Sequence, residues 1–376
     1  MKKAAAGVIL AFSMAFLLSG CAGNTKFQDS NTKTEVENQA STAPSVTQGV
    51  QQGSSGDEAS TGGDAKGGEE PIDLSKVKPN ESGKIMVVMF HNFVEEYKSG
   101  DKEYTTTFAL FEKLLEDLYG RGYRLISMKD YIENNIDVPA GCIPMVFTFD
   151  DGSAGQFNLI EENGRLVANR KSAVGVMEEF NKKHPDFGFK ATFYVNLGGS
   201  TFSGKGTISE RLSYLIDKGF EIGNHTLNHS NLRSIDSSRG IMEEVGGNQK
   251  ALLESVPGYK MESLALPLGR SAKKELKQYV IKGEYDGVAY ENKCILLVGA
   301  NPAPSPVSKK LDLMSLPRVR AAGIKTVDAD LEWWLENISE GEQYISDGNP
   351  DTVTLPSGKE DSIDKDKLKG KQLVVY

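Results

Sequence analysis

Met145-Val146-Phe147-Thr148-Phe149-Asp150-Asp151-Gly152 is an apolar run that ends in two adjacent carboxylates. A short continuous apolar run closed by a turn residue reads as a buried strand. Two carboxylates at the mouth of such a strand are costly to desolvate unless something cationic faces them. The same layout recurs along the chain. Ile85–Phe90 is an apolar run followed by His91-Asn92, and Phe220–Gly223 precedes Asn224-His225. Ser263–Leu266 precedes Pro267-Leu268-Gly269, and Leu313–Leu316 precedes Pro317-Arg318. Further strands are expected at Tyr123–Ser127, Ala191–Val195 and Gly287–Tyr290. Helices are expected over Thr106–Tyr119, where Phe108, Phe111, Leu114, Leu115 and Leu118 recur at helical spacing, and over Ser209–Lys218, stopped by Gly219. Alternating strands and helices imply a parallel sheet covered by helices, as a barrel or an open sheet. In such folds ligands bind at the carboxyl ends of the strands, so the five polar clusters should converge.

The cluster after Phe220–Gly223 carries His225-Thr226-Leu227-Asn228-His229, two of only four histidines in the chain. Four residues apart at helical spacing, two imidazoles lie on one face and can hold one cation. Asp150 and Asp151 point in different directions, so one can ligate a metal while the other stays free as a base. Two histidines and one carboxylate with an open fourth position form a ligand set of catalytic zinc sites.

Thr148-Phe149-Asp150-Asp151-Gly152 followed by His225-Thr226-Leu227-Asn228-His229 resembles the first two motifs of polysaccharide deacetylases, the NodB-homology group or carbohydrate esterase family four. The resemblance covers roughly residues 85–320. Met89-Phe90-His91-Asn92 looks like a strand-end "YH" element of many members, and Ala191-Thr192-Phe193-Tyr194-Val195 like their "ATFFV" strand. It implies an α/β fold, a distorted (β/α) barrel of NodB-homology type, and metal-dependent removal of N-acetyl groups from amino-sugar polymers. Asp150 would then be the general base, and Asp151, His225 and His229 would hold one divalent metal. Zinc is the default for that set, with cobalt, nickel or manganese able to use the same ligands. The third motif stands as Ala265-Leu266-Pro267-Leu268-Gly269: its Pro and Gly match, its arginine does not, and the Leu268 N–H remains available for an oxyanion. No histidine follows His229, so the family's late general acid is absent. Protonation of the leaving amine then falls to His91 or to Asp150 returning its proton. Leu316-Pro317-Arg318-Val319 resembles the "PRI" ending of the poly-N-acetylglucosamine deacetylase-like branch, with Arg318 expected to replace the missing arginine beside Asp150.

The 376 residues carry a formal charge of −9 and are 39% hydrophobic. An acidic balance argues against nucleic acid as the main partner. Three cysteines exclude a disulfide-stapled scaffold, and no internal repeat of a solenoid is visible. Lys2-Lys3, an uncharged run to Gly20 and Leu18-Ser19-Gly20-Cys21 read as a lipoprotein signal, with lipidated Cys21 as the mature start. Residues 22–70 hold only Phe27, Val36, Val46 and Val50 as large apolar residues and read as a flexible tether. The expected organisation is a signal over 1–20, a tether over 21–71 and a catalytic domain over 72–376, outside the cytoplasm and anchored to a membrane. The expected partner is an acetylated polysaccharide such as poly-N-acetylglucosamine or peptidoglycan, and O-acetylated sugars are open to the same attack. The competing readings are a glycan-binding lipoprotein on a catalytically impaired barrel and a solute-binding transport lipoprotein. Among the remaining residues, His184 is expected at the surface and Cys142 and Cys294 as buried thiols. Trp333-Trp334 is expected in the core, and Asp361–Lys369 as a solvated face.

Overall fold

Alternation places every side chain of the leading strands. In a computed structural model of the chain, which describes residues 72–99, 104–321 and 329–376, the expected signal, Cys21 and tether lie outside the described residues. The main sheet is built from β1 (Met86–Phe90), β2 (Ile143–Asp150), β3 (Thr192–Val195), β4 (Glu221–Asn224), β5 (Ser263–Ala265), β6 (Cys294–Leu296) and β7 (Val319–Arg320). Each pairs in parallel with the next from β1 to β6, and β7 pairs in parallel with β1. A short strand, Tyr123–Leu125, pairs with the first half of β2. The ring closes just before β7: Leu316 bridges Leu296 in parallel, with Leu297 N–H donating to Leu316 C=O at 2.8 Å. The sheet therefore curls into a distorted barrel whose last strand is two residues long.

Successive strand residues face opposite sides of a sheet. Met86, Val88 and Phe90 of β1, Phe147 and Phe149 of β2, and Phe193 of β3 face outward into one cluster with Phe111 and Leu115. Phe149 stacks on Phe193 at 4.8 Å and on Phe90 at 5.1 Å between ring centroids. Val87, Val146, Tyr194, Ala265, Cys294 and Leu296 face the opposite way and fill the interior. Gly223 of β4 is required there, because a Cβ would stand 2.4 Å from the Tyr194 ring. The outer layer consists of α1 (Phe108–Gly120), α2 (Ala173–Lys183), α3 (Ile208–Asp217), α4 (Ser238–Ser255) and α5 (Leu331–Asn337). Thr107, Ser172, Thr207, Ser237 and Asp330 cap their amino termini by accepting a backbone N–H. Such a cap contributes ~1 kcal/mol.

Several expectations are corrected. Val288–Glu291 is a strand, but it pairs antiparallel with Lys282–Tyr285 in a hairpin outside the barrel. Asp286 and Gly287 both have positive φ, the turn chemistry that an Asp-Gly pair favours. Leu313–Ser315 is a single 3-10 turn started by the Asp312 side chain, so Pro317-Arg318 precedes the last strand instead of following it. Thr105–Thr107 is a short strand beside Asn92–Val94, and α1 begins only at Phe108. Trp333 is 40% exposed, whereas Trp334 packs against the core and donates its indole N–H to Ala300 C=O at 3.0 Å. Cys142 and Cys294 are free thiols as expected, Cys294 buried but Cys142 only half-buried. His184 is half-buried against Tyr119 and Phe180.

The chain after β6 also packs at the opposite end of the barrel, where Ile85 bridges Ala303 and Lys84 bridges Gln343. Glu81 is buried there and accepts N–H bonds from Asp347 at 3.2 Å and Thr354 at 2.8 Å. Burial, then the Asp347 carboxylate, push its carboxyl up to about 8 from an ordinary 4.5. The folded chain thus holds a proton that the unfolded chain releases. That stabilisation is complete below pH 4.5 and is lost as pH rises through 8. Each tenfold difference in proton affinity between the two states is worth about 1.4 kcal/mol, so the loss is on the order of a few kcal/mol. Glu81→Gln is expected to flatten this decline when urea unfolding is compared at pH 5 and pH 8. An unchanged slope would assign the decline elsewhere.

Candidate active site

Alternation along β2 turns Phe149 outward and Asp150 inward, to the carboxyl end of the barrel interior. Asp150 is 1% exposed and meets Arg318, which is wholly buried. The pair is bidentate: Nη1 donates to Oδ1 at 2.7 Å and Nη2 to Oδ2 at 2.6 Å. The guanidinium is itself held, with Nε donating to Leu297 C=O at 2.9 Å and Nη1 to the Thr148 hydroxyl at 3.1 Å. Burial alone would raise the Asp150 carboxyl, but the Arg318 guanidinium outweighs it and holds the group well below the usual carboxylate range. The sequence signal for this contact is the "PRI"-like ending, and Arg318 reaches the position from the residue just before β7.

The chain then reverses. Asp151 has φ +81° and its N–H donates to Tyr194 C=O at 3.0 Å, so its carboxylate leaves the interior and faces the loop after β4. There His225 Nε2 stands 3.3 Å and His229 Nε2 3.4 Å from Asp151 Oδ1. The two histidines are not on a helix. Thr226 and His229 adopt left-handed φ of +63° and +55°, and this turn brings both rings to one side. His225 Nδ1 lies 2.8 Å from Ala265 C=O. A carbonyl only accepts, so Nδ1 carries the proton and Nε2 offers its lone pair to the site.

This arrangement fits a metal ion. One atom from each of Asp151, His225 and His229 lies within 4.8 Å of the others. Ligands at about 2.0–2.2 Å from a tetrahedral ion stand roughly 3.3–3.6 Å apart. The two Asp151–histidine separations fall in that range, longer than good hydrogen bonds would be. Burial also lowers the His229 pKa, which favours the neutral ring that ligation needs.

His91 borders the same space. His91 Nε2 is 3.9 Å from Asp150 Oδ2, too far for a hydrogen bond, and its buried Nδ1 has no partner among the described residues. Burial lowers the His91 pKa, so the ring is neutral near pH 7. The Tyr104 ring packs on it at 4.8 Å, and the Arg320 guanidinium lies 5.3 Å from the Tyr104 ring. Leu268 sits in the turn Pro267–Gly269 with φ +56° and is 62% exposed. Left-handed backbone costs a non-glycine residue on the order of 1–2 kcal/mol, and such residues gather at functional sites. Asp151, Thr226 and His229 are three of them within one side-chain cluster and its loop.

Sequence reasoning missed the residues that support this geometry. Gln156 donates to the backbone carbonyls of His91 and Asp150. Asn196 donates to those of His225 and Thr226. Glu244, Asn248 and Tyr104 carried no signal, because polar residues inside a helix or a threonine-rich stretch read as solvated.

Residues 137–287 match the family model described as polysaccharide deacetylase. A search of curated sequences finds no match. A Streptococcus pyogenes deacetylase, PplD, solved in complex with acetate, is similar over 68% of this chain and 98% of its own, at 19% identity and a TM-score of 0.50. A polysaccharide deacetylase from Bacillus cereus is similar over 67% of this chain and 68% of its own, at 21% identity and a TM-score of 0.49. IcaB from Ammonifex degensii is similar over 64% and 92%, at 18% identity and a TM-score of 0.42. At these identities the likeness to PplD speaks for a shared fold.

Proposed function

We propose, from a chain whose residues 137–287 match the polysaccharide deacetylase family model, a metal-dependent hydrolase that removes N-acetyl groups from a polysaccharide outside the cytoplasm. The observation that carries the reading is the pairing of a buried, ionised Asp150 with a separate Asp151–His225–His229 ligand set in one opening. A divalent metal, zinc by ligand type, would polarise the acetyl carbonyl and lower the pKa of water there. The chain's own residues supply the remainder. Asp150 accepts the water's proton on a lone pair that Arg318 leaves free. The Leu268 N–H faces the developing oxyanion, an interaction of a kind that contributes about 3–4 kcal/mol in known oxyanion holes. Asp150 returns that proton to the leaving amine, either directly or after passing it to the neutral His91 ring, which is held between Tyr104 and the opening. The Asp150–Arg318 contact supplies a partner for the base that the third motif lacks, which weighs against the impaired-barrel, glycan-binding reading. Poly-N-acetylglucosamine and peptidoglycan are the proposed substrates, and anchoring through lipidated Cys21 belongs to the same proposal.

Acetate release from chitin oligomers and peptidoglycan fragments tests it, with the purified protein loaded with zinc. Release should stop on adding a chelator and return with zinc. Release that survives complete metal removal would refute the metal-dependent reading, and metal binding without release from either polymer would favour a binding role.

A further inference from the structure

The loop from His225 to His229 does not hold its own shape. Two of its five residues are non-glycine residues with left-handed φ, and one of these, Thr226, is β-branched. A β-branched residue there is an outlier that persists only when its surroundings over-determine it. Asn196 and the end of β3 hold its first residues, and one helix holds the part that leads into His229. The Glu244 carboxylate accepts the Asn228 backbone N–H at Oε2 and the Asn228 side-chain N–H at Oε1, both at 3.0 Å. The Glu244 backbone C=O accepts the Leu227 N–H at 2.7 Å. One turn further along α4, Asn248 donates to Val195 C=O at 2.8 Å and to Asn224 Oδ1 at 3.1 Å, and Asn224 Oδ1 in turn accepts the Thr226 N–H at 2.8 Å. Gly247 lets the helix come this close, since a Cβ would stand 3.2 Å from the Leu227 side chain.

We propose that Glu244 is the positioning residue of the proposed metal centre, its carboxylate clamping Asn228, the residue just before His229, so that both imidazoles reach Asp151 before any ion binds. The idea rests on the metal reading given above. A carboxylate suits the task because it accepts two N–H donors at once, along the backbone and the side chain of one residue. Without the clamp, His225 stays anchored through Ala265 C=O, while His229, at the far end of the strained turn, loses its register.

The test is metal affinity of the full chain, read with zinc against a competing chelator dye, and the visible spectrum of the cobalt-loaded protein. Replacing a residue that orients metal ligands typically weakens binding about ten- to a hundredfold. Glu244→Ala is expected to weaken zinc binding by that factor and to alter the cobalt spectrum. Glu244→Gln, whose amide oxygen keeps one acceptor, should fall between it and the parent. Should Glu244→Ala fail to fold, Asn228→Ala removes the side-chain half of the clamp from an exposed residue and should still weaken zinc severalfold. Parental affinity and an unchanged cobalt spectrum in the folded variants would overturn the proposal while leaving the metal reading standing. A parent chain that binds no metal would overturn both.

Discussion

Arg318→Met is expected to destabilise the fold by about 3–5 kcal/mol and to abolish activity. Arg318 is wholly buried and Asp150 nearly so, so each neutralises the other away from water. Removing the guanidinium leaves a buried carboxylate with no matching cation, and two further acceptors, Leu297 C=O and the Thr148 hydroxyl, lose their donor. Methionine fills similar space without a polar atom, so the change reports the charge more than the volume. The double variant Arg318→Met/Asp150→Asn should recover most of the stability, because a pair removed together leaves no orphan charge, but none of the activity. Urea unfolding of the four proteins closes the cycle. A loss below about 1 kcal/mol in Arg318→Met would mean that water reaches Asp150 and that the pair is not a buried one.

Asp150→Asn is the second large effect, and it acts on rate. The substitution keeps the shape of the side chain and removes its ability to take a proton. General-base catalysis by a positioned side chain contributes typically 10²–10⁴-fold, so acetate release should fall by about that factor. Zinc affinity should change little, because Asp151, His225 and His229 are untouched. Arg318 is left without its counter-ion in this variant, so the assay belongs at a temperature where circular dichroism shows it folded. A rate within tenfold of the parent would move the base elsewhere, with Asp151 the first alternative.

Legibility of the fold followed strand length and side-chain contrast. β1, β2, β4 and β5 announced themselves because an apolar run met a polar cluster at its end, and that junction is where a parallel strand delivers its residues to the site, while β3 was legible from its apolar run alone. β6 and β7 did not. Three residues at Cys294–Leu296 and two at Val319–Arg320 are too short for any periodicity, and their pairing is decided by partners far along the chain. α4 was missed because it buries Glu244, Asn248 and Gln249 and carries Gly246-Gly247, so its inner face does not read as apolar. The histidine pair was found for the wrong geometric reason. A spacing of four suits a helix, but here a turn through two left-handed residues does the same work. The grouping of Asp151, His225 and His229 was readable, whereas its scaffold was not, because hydrogen bonds between segments leave no local pattern.

The two-residue strand that closes the barrel also brings Arg318 to Asp150, a residue 168 positions earlier in the chain. The acid, the ligand histidines and the Leu268 turn are all made before it. A growing chain that has not yet docked this last segment has a carboxyl group with no cation to keep it ionised inside the barrel. Docking of this segment and completion of the buried ion pair are therefore one event, so a chain cut short of it would leave the proposed base without its partner.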